Sequence, residues 1–213
     1  MNTADIHTLY AYNRWANRRM FSVLEKLSEE QFSAARLSSF PSIRESVLHI
    51  LAAEWIWLKR WKGSSPRATV ADSSTASAMG SALSNGGVAV ETLAALSGLR
   101  SFADSIEQER QEFLSGLNDD ILQARLKYTD MGGKEFSMPL VYLLQHLVNH
   151  GTYHRGQVTT LLRQAGAETV SFDLLFFYQG TGSRSRDGVD HPSVQGAAKL
   201  RGFSSLIRKD CPR

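Results

Sequence analysis

Three histidines stand four residues apart in "HLVNHGTYHRGQV", at positions 146, 150 and 154. On an α-helix, positions four apart differ by only about 40° around the axis, so neighbouring imidazoles project toward one spot from adjacent turns. That is the spacing with which two histidines chelate one metal ion from a single helix. All three cannot share an ion. His146 to His154 spans about 12 Å at about 1.5 Å per residue, which is too long for one small ion. His150 and His154 are therefore the candidate pair, with His146 one turn away.

A third ligand has to come from another segment. His49 lies in "SIRESVLHILAAEWIWLKRW", between Leu48 and Ile50, in a stretch otherwise given to apolar and aromatic residues. An imidazole in such a place is costly to desolvate without a partner. If the helices carrying His49 and the pair face each other, three neutral imidazoles meet inside a bundle and leave at least one coordination position open. That is the arrangement of a reactive rather than a purely structural centre. Asn149 and Gln157 are placed to hydrogen-bond a ligand's second ring nitrogen. Glu54, five positions after His49 and about 140° around the axis, is a further candidate beside the site. Arg155 points about 100° away from His154 and is expected to pair with a carboxylate. Trp55, Trp57 and Trp61 read as core, and His7 and His191 as exposed or tail residues. Gly151 occupies the position where an H-E-x-x-H protease carries its glutamate, so no general base is built into the ligand segment.

Four long amphipathic segments must position these residues. The first begins with Thr3 as cap and repeats Ile6, Leu9, Tyr10, Met20, Val23 and Leu24 at steps of three or four. Ser28 and Gln31 have capping-box spacing for a short second start. Ser42 and Glu45 match the same pattern ahead of a helix over about 42–61, with Gly63 as its stop. A third segment runs from Glu91 to Leu117 with Gly98 as its weak point, and the fourth from about Pro139 to Gln164, ended by Gly166. Between the last two, "ARLKYTDMGGKEFSM" alternates around Gly-Gly and predicts a β-hairpin. The fold class is all-α: a four-helix bundle with a small β-hairpin before the last long helix. Residues 64–90, rich in Ser, Ala and Gly, read as a low-complexity loop with at most a short helical turn. "SFDLLFFYQ" reads as a final strand or extended segment. The domain is expected over 1–178 and a disordered basic tail over 179–213, in which "AAKLRGFSSLIRK" offers a short basic helix.

Composition narrows the function classes. The chain has 213 residues, 42% hydrophobic and 21% charged, as in ordinary soluble domains. It has no apolar run long enough for a membrane span and no secretory leader pattern. One cysteine, Cys211, forms no internal disulfide, consistent with a cytoplasmic protein. The pI near 9.1 comes from the tail. Residues 179–213 carry seven Lys/Arg and three Asp, net +4, against −1 for the remainder, so the body gives no support for nucleic-acid binding.

Over about residues 5–178 the chain resembles the DinB/YfiT-like family of metalloenzymes. The resemblance is carried by "LYAYNRWANRRM", by "SIRESVLHILAAEWIWLKRW" and by "YTDMGGKEFSMPLVYLLQHLVNHGTYHRGQVTTLLRQAG". It implies a four-helix bundle and a three-histidine metal site at His49, His150 and His154, with His146 a flanking position. It also implies a divalent metal such as zinc or nickel, and a homodimer. For activity it implies a thiol S-transferase using a low-molecular-weight thiol and a small-molecule substrate. A metal-dependent hydrolase and a non-catalytic, metal-binding stress-response module stay open beside it. The length of 64–90 and the tail beyond Tyr178 depart from the family pattern without touching the ligands.

Overall fold

A computed structural model describes residues 1–67 and 75–182. Four long helices dominate: α1 (Thr3–Leu24), α3 (Ile43–Trp61), α5 (Leu96–Ser115) and α7 (Leu140–Gln164). Around them are the short helices α2 (Glu29–Ser33) and α6 (Asp119–Gln123), together with α4 (Thr75–Asn85), α8 (Leu174–Gly182) and a 3-10 turn at Val90–Ala94. Helix α3 packs on α7 and α5, and α1 packs on α7 and α5, so the four close into a ring of neighbours. This is the expected bundle, and Ile6, Met20, Ile50, Leu51, Leu58, Leu99, Leu144 and Leu161 fill its centre with no more than 1% exposure. The chain falls into two compact units, Met1–Phe177 and Tyr178–Arg213. Of the second unit only residues 178–182 are described; the expected basic tail and its short helix otherwise lie outside the described residues.

Local chemistry accounts for most boundaries. Helix α1 is capped by Asn2, not Thr3: the Asn2 side chain accepts from the Asp5 N–H and the Asp5 carboxylate accepts from the Asn2 N–H. Thr3 is the first helical residue, and its hydroxyl and N–H donate to Asp119. Ser28 and Gln31 form the reciprocal box expected of α2. Ser42 caps α3 through the Glu45 N–H. Gly63 and Gly166 take φ of +84° and +68° just past α3 and α7, the left-handed conformation that ends a helix. Hairpin β1 (Arg125–Thr129) and β2 (Glu135–Pro139) pair antiparallel with Tyr128 opposite Phe136. Ser137 belongs to β2, and α7 starts at Leu140, with Pro139 at its N-cap position and no side-chain cap.

Three expectations need correction. The segment 64–90 is not simply a loop: α4 fills 75–85 and buries Ala82 and Leu83. The third helix begins at Leu96, because Val90–Ala94 winds as a 3-10 turn folded onto its first turn. A Cβ on Gly98 would lie 1.9 Å from the Thr92 carbonyl oxygen, so Gly98 is what lets the two approach. "LLFFYQ" is helical, not extended. The Asp173 carboxylate accepts the Leu175 N–H, and Phe177 buries against Tyr12 and Trp15.

Candidate metal centre

His49 near the start of α3 meets His154 late in α7, and Trp57 further along α3 meets His146 earlier in α7, so the two helices run antiparallel. His49 and His154 are buried and His150 is half-buried. One ligand atom from each lies within 4.8 Å of the other two. The Nε2 atoms of His49 and His154 are 3.2 Å apart. Two nitrogens bound tetrahedrally at about 2.0–2.1 Å sit about 3.4 Å from each other, so the cluster fits one zinc-sized ion. The Nδ1 atoms of His49 and His150 are buried with no hydrogen-bond partner among the described residues.

Burial, then the neighbouring imidazoles, pushes His49 down to about 3. Burial does the same to His150, to about 4, with His154 and His146 adding to it and Glu54 opposing. His154 is also lowered by burial, against a hydrogen bond to Gln157. All three are thus neutral at pH 7, the protonation state in which imidazole is a ligand. Gln157 Oε1 lies 2.8 Å from His154 Nδ1. As a carbonyl oxygen it accepts, which assigns the proton to Nδ1 and leaves a lone pair on the Nε2 facing His49. Gln157 in turn donates to Ser39 Oγ at 3.3 Å.

The other expected site residues divide. His146 is a flanking group: its ring is 5.9 Å from His150 and 5.4 Å from Trp57, outside the cluster. Asn149 is exposed and lines a different, open surface cavity with Thr152 and Arg163, because one residue before His150 is about 100° off the ligand direction. Glu54 is 3% exposed but faces α1 and α5. It accepts from Asn13, Asn17 and Arg110, and it reaches His150 only through space. Arg155 pairs with no carboxylate among the described residues. Fully buried, it donates to Asn13 Oδ1 and Asn17 Oδ1 at 2.9 Å. Gly151 makes room for it, since a Cβ there would meet Arg155 Nη1 at 2.9 Å.

Sequence reasoning missed Phe40, whose ring covers His49 at 4.4 Å and approaches His154 at 5.6 Å. It sits in the irregular link to α3, where no periodicity flags a residue. It also missed Asn13 and Asn17, although a signal existed: two polar residues four apart on the buried stripe of α1.

Comparisons with known proteins identify the family. The model of the DinB family matches residues 1–188. Protein DinB of Bacillus subtilis is 30% identical over 166 residues, covering 78% of this chain and 88% of that protein. The uncharacterized protein YrdA of Bacillus subtilis is 38% identical over 68 residues, 30% of this chain and 38% of that protein. A crystal structure of a DinB-like protein from Bacillus cereus superposes with a TM-score of 0.51 at 22% identity, covering 80% of this chain and 97% of that one. With the family model spanning the whole bundle and a curated relative aligned over most of its own length, the chain belongs to the DinB family.

Proposed function

We propose that His49, His150 and His154 bind one divalent ion, zinc or nickel, and that the protein is a metal-dependent thiol S-transferase. It would join the sulfur of a low-molecular-weight thiol to a small electrophilic substrate. The observation that carries the reading is the convergence of three neutral, largely buried imidazoles from two helices. When bound, the ion supplies a Lewis-acid centre that lowers the pKa of a thiol or of water. The chain's own residues do the rest. Gln157 holds His154 in its ligand tautomer, and Phe40 covers one side of His49 and keeps water from it. Transfer forms one S–C bond and breaks the bond from that carbon to its leaving group, which departs with the thiol proton.

A hydrolase that relied on a general base would need a carboxylate or similar group beside the centre. Among the described residues none joins the cluster, and Glu54 is committed to Arg110, Asn13 and Asn17. That supports the transferase over a base-assisted hydrolase.

Metal analysis of the purified protein tests the ligand set. His49→Ala, His150→Ala and His154→Ala should each lose most of the bound metal, and His146→Ala should lose much less. Full retention in His49→Ala would overturn the site. The reaction is tested by screening zinc- and nickel-loaded protein with bacillithiol, mycothiol and glutathione against an electrophile panel. Turnover that is no greater than in a thiol-free control would reject the transferase. Homodimerisation, part of the same family reading, is checked by sedimentation.

A further inference from the structure

Arg60 follows His49 by eleven residues on α3, which brings it within about 20° of the same face and about 16 Å further along the axis. Its side chain is unusual. It is 6% exposed, its Nε is buried with no hydrogen-bond partner, and among the described residues it makes no ion pair. Its guanidinium carbon lies 4.7 Å over the Trp57 ring and 5.5 Å from the Tyr128 ring. Asp130 acts on it only through space, with one carboxylate oxygen taken by the Lys134 N–H. Rings can offset part of the cost of burying a cation, but they do not accept its N–H groups. Its Nη groups, which have no acceptor among the described residues and are not fully buried, present the planar fork that matches a carboxylate.

The surroundings lead from this fork to the candidate metal centre. Ring contacts run from His49 to His150 at 5.2 Å, from His150 to His146 at 5.9 Å and from His146 to Trp57 at 5.4 Å; Arg60 lies over Trp57. His146 is exposed and Trp57 half-buried, so the row is open to solvent along its middle. We infer that Arg60 is an anion-recognition site, the docking point for a carboxylate on an elongated ligand whose reacting atom lies at the three-histidine cluster. The reacting end of this picture rests on the function proposed above; carboxylate binding at Arg60 does not.

The test uses the full-length, zinc-loaded chain. Succinate is titrated while the Arg60 Nε–H resonance is followed, assigned by its loss in Arg60→Met. Affinities for succinate, glutathione and glutathione diethyl ester are measured by calorimetry in wild type, Arg60→Met and Arg60→Lys. Succinate should shift the resonance and bind about tenfold or more weakly in Arg60→Met, with partial recovery in Arg60→Lys. Glutathione weakened by Arg60→Met while its ester is unaffected would assign the anion to the thiol. Glutathione indifferent to Arg60, with succinate dependent on it, would assign the anion to the electrophilic substrate. Either supports the site. An unmoved resonance at saturating succinate, with equal succinate affinity in wild type and Arg60→Met, overturns it; if Arg60→Met does not fold, the resonance, assigned instead by its loss in Arg60→Lys, alone decides. Repeating the succinate titration in His49→Ala separates the two readings. Metal retained there sinks the metal centre and leaves an Arg60-dependent anion site standing.

Discussion

Gln157 decides which nitrogen of His154 faces His49. Its Oε1 accepts from Nδ1 at 2.8 Å, and its amide is itself held by Ser39, so the imidazole is fixed in orientation as well as tautomer. Removing such a support costs about 10–100-fold in metal affinity. Gln157→Ala should therefore bind zinc about 10–100-fold more weakly in competition with a chromophoric chelator, with thermal stability nearly unchanged. Equal affinity would show that packing alone orients His154. Gln157 was legible in the sequence because three residues on from a candidate ligand is one helical turn. Asn149 was the misleading neighbour, since adjacency in sequence is divergence on a helix. Arg60 was illegible for another reason: a basic residue in the last turn of a helix already has an explanation in the helix dipole. Only its burial without an acceptor sets it apart.

At the scale of elements, periodicity located the four long helices because each carries one buried stripe, and the hairpin because Leu126, Tyr128, Phe136 and Met138 alternate about Gly-Gly. Periodicity failed where elements are short and built mainly of small residues. Helix α4 is mostly Ser and Ala, and it buries few side chains, so nothing in its pattern separated it from a loop. The start of α5 was misplaced because Leu93 and Leu96 keep a three-residue step through a change from 3-10 to α-winding. Gly98 marks that change. Gly98→Ala places a methyl against the Thr92 carbonyl and should destabilise the fold by about 1–3 kcal/mol. Gly156, on α7, has open space for 4 Å around the place a Cβ would take, and it should behave oppositely: Gly156→Ala should stabilise by about 0.5–1 kcal/mol. Denaturant unfolding of both variants measures this. Similar effects from the two would mean that helix propensity, not the close approach, governs Gly98.

The whole molecule is tied together by charge as well as by its apolar core. Glu54 on α3, Arg110 on α5, Asn13 and Asn17 on α1 and Arg155 on α7 form one buried network, so every long helix contributes a member. The bundle itself was legible; this network was not, because its members are far apart in sequence and nothing in their spacing pairs them. Burial opposes ionisation of Glu54, yet the Arg110 charge and the hydrogen bonds from Asn13, Arg110 and Asn17 outweigh it and hold its carboxyl below its ordinary 4.5. The unfolded chain therefore binds the proton more readily than the folded one. Glu54 contributes stability that is present above about pH 4.5 and is lost as the pH falls through its folded value. The depressed histidines add a separate loss as the pH falls below 6.5, which any Glu54 variant shares. Glu54→Gln keeps the shape but cannot ionise, and among the described residues it leaves Arg110 with only Glu107 as a charged partner. It should be less stable at pH 7, by up to about 3–5 kcal/mol, the cost of breaking a buried pair. Its melting temperature should then fall less steeply than that of wild type below pH 4.5. Thermal unfolding of the metal-free proteins between pH 7 and pH 3 reads both effects, and parallel curves would place the acid sensitivity outside this network.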